Sequence, residues 1–345
     1  MVKVEEKYGF PLFTKSASLV NLGKNQDVII SDIWSFWDYV IKKVAKDKKG
    51  ADFLHSFLEQ AKHFYQSAED SPVKSQPLLY YYSFLNLSKI MINLKGTFGP
   101  NKRYSHGIRV KNPGANQKFT KDEIIKSSQK TETVEVAHEL VSLFDTSMSV
   151  DDLTLNTKNI LKHCVGIHRA YSEIYNQPEI FVRITSHTLY TQGKRLIFEA
   201  KLQCKLTQIA ELTALGYEIS TIDNEDVIYK ESFGIKSYKP RRADYSALAA
   251  QLKCKGIWYL IGSRGYTMYL STSAEDRYSQ ESIIYMMMFY LGSITRYHPY
   301  KFDKIFTDKE QWLVSEFLST QPKQFLYLAT ANVLGQKVMK AYASF

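Results

Sequence analysis

The chain has 345 residues and carries 45 Lys and Arg against 35 Asp and Glu, a net charge of +10. A chain of this length can bury a substantial hydrophobic core. No apolar run reaches the roughly 18–20 residues that cross a bilayer, and the first residues lack the apolar segment of a secretory signal. Cys164, Cys204 and Cys254 are far apart and form no CxxC. We therefore expect a cytoplasmic protein with reduced thiols, no membrane contact, no metal and no cofactor.

Residues 75–94 are the most apolar stretch, SQPLLYYYSFLNLSKIMINL, and predict a buried helix. Ser75 is suited to cap this helix, and Pro77 suits its first turn. The polar residues recur every three or four positions and share one side of the helix, which includes Lys89. An unpaired buried charge is costly. Lys89 therefore needs a salt bridge inside the helical bundle, which we favour, or it reaches an edge or faces a cleft.

A basic connector follows at residues 101–130, with eight Lys and Arg, two acidic residues, and several Gly and Pro. Tyr104, His106 and Phe119 are interleaved with these charges, an arrangement suited to gripping phosphates and stacking bases. A solvated surface loop explains the pattern equally well. A second basic stretch, residues 236–242, precedes a short helix. The predicted nucleic-acid-binding residues in the two stretches are Lys102, Arg103, Lys111, Lys118, Arg241 and Arg242.

The remaining elements follow from their periodicity. Residues 1–30 have little pattern, and two helices separated by a break at residues 46–50 follow from Ser31. A strand pair turns around Gln192–Gly193, and its second strand alternates apolar and polar residues. Further strands are predicted at residues 226–231 and 256–271, with a turn at 263–265. Further helices are predicted at residues 132–144, 153–175, 242–252, 280–296, 308–318 and 322–343.

This order of elements predicts an α+β fold that is mainly helical, with a central antiparallel β section. We expect a single composite domain over residues 1–345. Its helical part covers residues 31–175, its β-rich middle covers 176–275, and the helices of 276–345 complete the helical part.

Three blocks of the sequence resemble the bacterial YaaC-like proteins. They are LEQAKHFYQSAEDSPVKSQPLLYYYSFLNLSKIM (58–91), SHGI (105–108) and FYLGSITRYHP (289–299). The resemblance spans most of the chain and implies that its first and last helical parts pack together. It brings no established activity with it, so no family role is carried over to His106 or Arg296.

Glu199-Ala200-Lys201 has the acid–any–lysine order of a metal-dependent nuclease half-site. Such a site needs a second acid nearby, and Glu179 is the nearest upstream. If the chain turns at Gln192–Gly193, Glu199 faces Ser186 and Glu179 lies far along the strand. This nuclease site is therefore disfavoured. No GxSxG, GxxxxGK[ST] or GxGxxG motif occurs either.

A metal-independent ribonuclease is the other catalytic hypothesis. The helical end segments are similar to the HEPN class, whose bundles carry an Arg followed at short spacing by a His. The pairs Arg103–His106, Arg183–His187 and Arg296–His298 do not match that spacing. The candidate catalytic residues are His106, Arg109, Arg296 and Lys89.

The first functional hypothesis is a binding protein whose basic stretches contact nucleic acid or an acidic partner. The alternative is a nuclease or toxin-like enzyme centred on His106, Arg109 or Arg296, and a purely structural scaffold is a third. The enzyme hypothesis is favoured if five side chains share one cleft, namely Lys89, His106, Arg109, Glu199 and Arg296. Binding or scaffolding is favoured if these side chains lie far apart.

Overall fold

A computed structural model describes residues 2–3, 28–45, 47–95, 102–111, 118–127, 133–144, 153–222, 226–262, 265–275 and 278–340. The chain divides into two compact units. The helical unit comprises Ile30–Pro178 and Tyr278–Ala329, and the sheet unit comprises Met1–Ile29, Glu179–Arg277 and Thr330–Phe345. Most of the predicted lead-in at residues 1–30 and part of the predicted turn at 263–265 lie outside the described residues. The single composite domain stays a prediction.

Eleven α-helices lie within the described ranges. They are α1 (Ile33–Val44), α2 (Lys48–Glu69), α3 (Gln76–Leu94), α4 (Val136–Phe144), α5 (Thr157–Lys162), α6 (His168–Tyr175), α7 (Leu206–Ala214), α8 (Arg242–Cys254), α9 (Gln280–Tyr297), α10 (Pro299–Ile305) and α11 (Gln311–Leu334). No helix in this part of the chain is long and apolar enough to cross a membrane.

The strands of the described residues are mostly short outside the sheet unit. They are β1 (Val2–Lys3), β2 (Val28–Ile29), β3 (Arg103–Ser105), β4 (Ile108–Lys111), β5 (Glu123–Lys126), β6 (Thr133–Glu135), β7 (Thr154–Asn156), β8 (Phe181–Gln192), β9 (Arg195–Gln203), β10 (Glu218–Ile222), β11 (Asp226–Gly234), β12 (Ile257–Gly262), β13 (Gly265–Ser271) and β14 (Val338–Met339). Mainly helical α+β architecture is thus confirmed.

Helix α3 forms the centre of the helical unit, as its composition predicts. Its polar side faces inward, where Ser83 Oγ donates to the Ala61 carbonyl of α2 at 2.7 Å. Phe84 stacks on Phe325 of α11 with ring centroids 4.1 Å apart, so the N-terminal and C-terminal helices pack together as expected. The prediction that Ser75 caps α3 is wrong, because its side chain makes no capping hydrogen bond.

A buried ion pair joins two further parts of the helical unit. Lys301 Nζ of α10 lies 2.5 Å from Asp122 Oδ2, and both side chains are almost completely buried. Tyr290 of α9 donates its hydroxyl proton to the same carboxylate at 2.7 Å. Two donors therefore offset the desolvation of the Asp122 charge.

The sheet unit is built on an antiparallel sheet with the strand order β10-β11-β9-β8-β13-β12, and β1 also pairs with β8. The β8–β9 hairpin turns at Gly193–Lys194, where Gly193 has a φ of 60° that favours glycine. The predicted turn was one residue early. Glu199 consequently faces Thr188 instead of Ser186, and a register shift between Ile184 and Ser186 follows farther along the strands.

Two helix predictions are wrong for identifiable reasons. Residues 153–175 form β7, α5, a short 3-10 turn and α6 instead of one helix. Gln280 of α9 accepts from Val165 N at 2.8 Å and donates to the His163 carbonyl at 2.8 Å. These bonds occupy backbone groups that a continuous helix would use. Conversely, α11 runs unbroken through Pro322, with Leu318 and Phe325 buried on either side of the proline.

Candidate functional site

Helices α3 and α9 approach closely at Gly292, and this contact forms one wall of the site. A Cβ atom at Gly292 would lie 3.2 Å from Tyr81 Cβ and 3.3 Å from the Pro77 carbonyl oxygen. Only a residue without a side chain allows this spacing without a shift of the neighbouring backbone. The approach sets Tyr81 of α3 against Phe289 of α9, with ring centroids 5.4 Å apart.

The turn that carries His106 is held at both of its peptide groups. Ala137 N, in the first turn of α4, donates to the His106 carbonyl at 3.1 Å. The Gly107 carbonyl lies 3.0 Å from Ser127 N and 3.1 Å from His138 Nε2. Gly107 itself has a φ of 76°, a backbone conformation that other residues rarely adopt. This part of the basic connector is therefore a fixed turn between β3 and β4, where a solvated loop was the other prediction.

A cavity of about 290 Å³ opens between α3, the His106 turn, β4 and the C-terminal half of α9. We call it the α3–α9 pocket. Its size is close to the lower end of small-molecule sites, roughly 300 Å³. No Asp or Glu is among its lining residues, which are Leu78, Tyr81, Tyr82, His106, Ile108, Arg109, Val110, Phe289, Gly292, Ser293, Ile294, Arg296, Tyr297 and His298. Positive charge around an apolar wall suits an anion that also carries an apolar part.

His106 is exposed on one side and packed on the other. Its Nδ1 lies 2.5 Å from Tyr81 Oη, and its ring centroid is 5.9 Å from that of Phe289. Partial desolvation lowers the pKa of His106 below its ordinary 6.5, and the charges of Lys89 and Arg296 lower it further. The imidazole is consequently neutral at pH 7.

Arg296 and Arg109 supply the charge of the pocket. Arg296 Nη1 donates to Tyr82 Oη at 2.8 Å, and its guanidinium lies 5.1 Å from the centre of the Tyr297 ring. Arg109 is exposed on β4. No carboxylate of the described residues forms an ion pair with either guanidinium. Apart from the Arg296 Nη1 bond to Tyr82, their donors therefore remain available to a bound anion, and an Arg fork binds phosphate well.

Lys89 does not form the salt bridge that we favoured with any of the described residues. Its Nζ lies 3.1 Å from Asn86 Oδ1, 4.9 Å from the centre of the Phe57 ring and 5.6 Å from that of Tyr104. No salt bridge to Lys89 occurs among the described residues, so that prediction is wrong for this part of the chain. Burial lowers the pKa of Lys89. It does not line the α3–α9 pocket, but its charge acts on His106.

The other predicted cations lie in both units. Lys102, Arg103 and Lys118 are exposed in the helical unit, and Lys111 Nζ pairs with Glu123 at 2.8 Å. Arg241 and Arg242 belong to the sheet unit, where Arg241 lies 3.7 Å from Asp244.

Glu199 belongs to a polar cluster of the sheet unit. Its Oε2 lies 3.2 Å from Lys230 Nζ and accepts the Tyr190 hydroxyl at 3.0 Å. The described residues contain no group of three or more His, Cys, Asp or Glu arranged to hold a metal ion. Cys164 is completely buried, and burial raises its pKa to about 12, which makes it a poor nucleophile.

Residues 22–333 match the family model described as YaaC-like protein. The chain belongs to the YaaC-like family. No curated protein and no solved structure matched it. The three blocks that carry the resemblance supply every lining residue of the α3–α9 pocket except Arg109 and Val110. The blocks that carry the resemblance thus meet at one cavity.

Three of the four predicted catalytic residues, His106, Arg109 and Arg296, line this cavity together. Sequence reasoning did not identify Tyr81 and Tyr82 as their partners. The two tyrosines lie in the buried helix α3, where aromatic residues are typical of a core, and only tertiary packing places their hydroxyl groups beside His106 and Arg296. From the sequence, His298 was considered only as part of the Arg296–His298 pair, whose spacing does not match that of the HEPN class.

Proposed function

We propose that this protein binds single-stranded nucleic acid and seats one nucleotide in the α3–α9 pocket. The observation that carries the proposal is the placement of Arg109 and Arg296 around one cavity whose lining contains no carboxylate. Phosphate is the anion that best uses two guanidinium groups, since each offers several N–H donors in a fixed plane.

The remaining surface of the pocket favours a nucleotide over a bare phosphate. Tyr297 is 65% exposed and offers a ring face on which a base can stack. Ile108, Val110 and Phe289 provide an apolar wall for the sugar and base edges. A paired base cannot leave its stack without an energetic cost, so a single strand enters such a pocket more readily than a duplex.

The exposed cations of the basic connector extend the positive surface of the helical unit. Lys102, Arg103 and Lys118 would then contact neighbouring phosphates and make the affinity salt-dependent. Arg241 and Arg242 stay predicted contacts of the sheet unit. We also propose a cytoplasmic location, in keeping with three cysteines that form no disulfide.

Fluorescence anisotropy of a labelled single-stranded RNA tests the proposal, with DNA of the same sequence and a duplex as further ligands. Arg109→Gln and Arg296→Gln should each weaken binding by about ten- to hundredfold, because each removes charge-assisted hydrogen bonds worth about 1.5–3 kcal/mol. The control is Arg169→Gln, an exposed arginine of the helical unit that pairs with Glu173 at 3.2 Å.

The same measurement separates the pocket from the other basic surfaces. If Arg241→Gln together with Arg242→Gln abolishes binding while the two pocket variants bind normally, the pocket is not the site. No binding of any nucleic acid at about 50 mM salt contradicts the proposal altogether, and an acidic protein partner then becomes the hypothesis to test.

A further inference from the structure

Two imidazoles line the α3–α9 pocket together with its two guanidinium groups. His106 lies in the turn after β3, and His298 lies between α9 and α10. Binding alone requires positive charge and a stacking surface, and it does not require two groups that can both accept and donate a proton near neutral pH. A cavity that combines two such groups with two phosphate-binding arginines has the components of acid–base chemistry at a phosphodiester.

We propose that the α3–α9 pocket cleaves RNA by attack of a ribose 2′-hydroxyl on the adjacent phosphodiester, with His106 and His298 moving the protons. This inference rests on the proposed function, since the strand must first bind. His106 Nε2 takes the proton of the 2′-hydroxyl as O2′ forms its bond to phosphorus. The bond from phosphorus to the 5′-oxygen breaks, and His298, acting as the general acid, gives that oxygen its proton.

The products of this step are a 2′,3′-cyclic phosphate and a free 5′-hydroxyl, so no water, metal or oxidant enters the atom balance. Arg109 and Arg296 stabilise the charge that builds on the non-bridging oxygens during the attack. A proton returned from His106 to solvent and one taken up by His298 restore the starting state.

The Tyr81–His106 contact determines which nitrogen of His106 can act as the base. When Nδ1–H donates to Tyr81 Oη, Nε2 is left unprotonated. The Tyr81 hydroxyl can then turn its own proton toward the buried Tyr285 Oη, with which it interacts. Burial and the neighbouring Tyr285 hold the pKa of Tyr81 well above its ordinary value, so its phenol keeps this proton. Tyr81 is thus a positioning residue in the proposed reaction.

The requirement for a 2′-hydroxyl gives the proposal a sharp substrate test. A DNA oligonucleotide with a single internal ribonucleotide should be cut only on the 3′ side of that ribonucleotide, and all-DNA should be bound but left intact. Mass spectrometry should find the 2′,3′-cyclic end, and a chelator should not change the rate. A cut elsewhere, a different end group, or dependence on added divalent metal overturns the mechanism.

Variants separate the protein's own activity from a contaminant and from loss of folding. His106→Asn and His298→Asn should each slow cleavage by about 100-fold or more, as expected for loss of a general acid or base, while binding changes only a few-fold. His63→Asn is the matched control, because His63 is an exposed histidine of α2 outside the pocket. Circular dichroism establishes that each variant is folded.

The outcomes distinguish this inference from the proposed function. RNA that binds in an arginine-dependent manner but stays intact overturns cleavage and leaves the binding proposal standing. Equal cleavage by wild type and His106→Asn, prepared identically, also overturns it, since the activity then comes from elsewhere. If neither RNA nor DNA binds, both proposals fail.

Discussion

Tyr81 Oη and His106 Nδ1 lie 2.5 Å apart, although the two residues are 25 positions apart in the chain and belong to different elements. The contact joins the buried helix α3 to a turn of the basic connector. It orients His106, whose pKa is lowered by burial and by neighbouring cations. A core element and a charged surface element thereby become parts of one site.

Removing this hydrogen bond should affect catalysis more than binding. Tyr81→Phe keeps the ring contact with Phe289 but leaves His106 Nδ1 without its partner. We expect RNA affinity to stay within a few-fold of wild type and cleavage to slow by at least about tenfold, because an orienting hydrogen bond worth about 1.4 kcal/mol in the transition state corresponds to a factor of ten. Tyr39→Phe is the control, since Tyr39 is half-exposed on α1. A variant that binds less tightly but cleaves bound RNA at the wild-type rate would contradict the positioning role.

Ligand binding should be accompanied by proton uptake at His106. The free imidazole has a pKa below 6.5 and is neutral at pH 7, and a phosphate beside it favours the charged form and raises that pKa. Affinity should therefore increase as the pH falls from 7 toward 6, and level off below the pKa of the free state. Calorimetry at pH 6.5 in two buffers of different ionisation enthalpy measures the uptake. His106→Asn should lose it and His63→Asn should retain it, whereas net proton release would refute the assignment.

The close approach of α3 and α9 should make Gly292 sensitive to a single added methyl group. In Gly292→Ala the new Cβ meets Tyr81 Cβ and the Pro77 carbonyl at 3.2 and 3.3 Å, so the two helices must separate by a few tenths of an ångström. We expect a loss of about 1–3 kcal/mol in the free energy of unfolding, together with weaker RNA binding. Gly234→Ala is the comparison, because a Cβ there has no neighbour within 4 Å. Equal stability of the two variants in urea would contradict the packing argument.

The buried pair of Asp122 and Lys301 should show strong coupling. In Lys301→Met the Asp122 carboxylate stays buried and keeps the hydrogen bond from Tyr290 but loses the charge of the lysine. This should lower the free energy of unfolding by about 3–5 kcal/mol. Asp122→Asn combined with Lys301→Met should recover part of that loss, since no uncompensated charge is then buried. A double-mutant cycle measured by urea unfolding gives the coupling. Strictly additive effects would show that the pair does not act as a unit.

Much of the fold could be predicted from the sequence, because several helices and strands have a strong pattern of apolar and polar residues within their own segment. The apolar composition of residues 75–94 predicted α3 to within one residue, and the alternation after Arg195 predicted β9. The failures had non-local causes. Gln280 occupies backbone groups near Val165 and interrupts the predicted helix of residues 153–175, and tertiary packing carries α11 through Pro322.

The candidate site was predictable only in part for the same reason. His106, Arg109 and Arg296 were singled out by residue type and by the blocks around them. Their convergence depends on how a turn in the connector meets α3 and α9, which no local spacing encodes. Lys89 was noticed for its cost as a buried charge. We expected a carboxylate as the partner of Lys89. Its neighbours are instead aromatic rings and an amide, which are common in any protein core.

Imidazole NMR of the ¹⁵N-histidine-labelled protein tests most directly whether the α3–α9 pocket is the nucleic-acid site. The His106 signals are assigned with His106→Asn and followed during titration with a single-stranded DNA, which supplies the phosphates without a 2′-hydroxyl. We predict that the signals of His106 and His298 shift together as the DNA binds, that the His106 pKa rises, and that His63 is unaffected. DNA binding that leaves both pocket histidines unchanged would contradict the account.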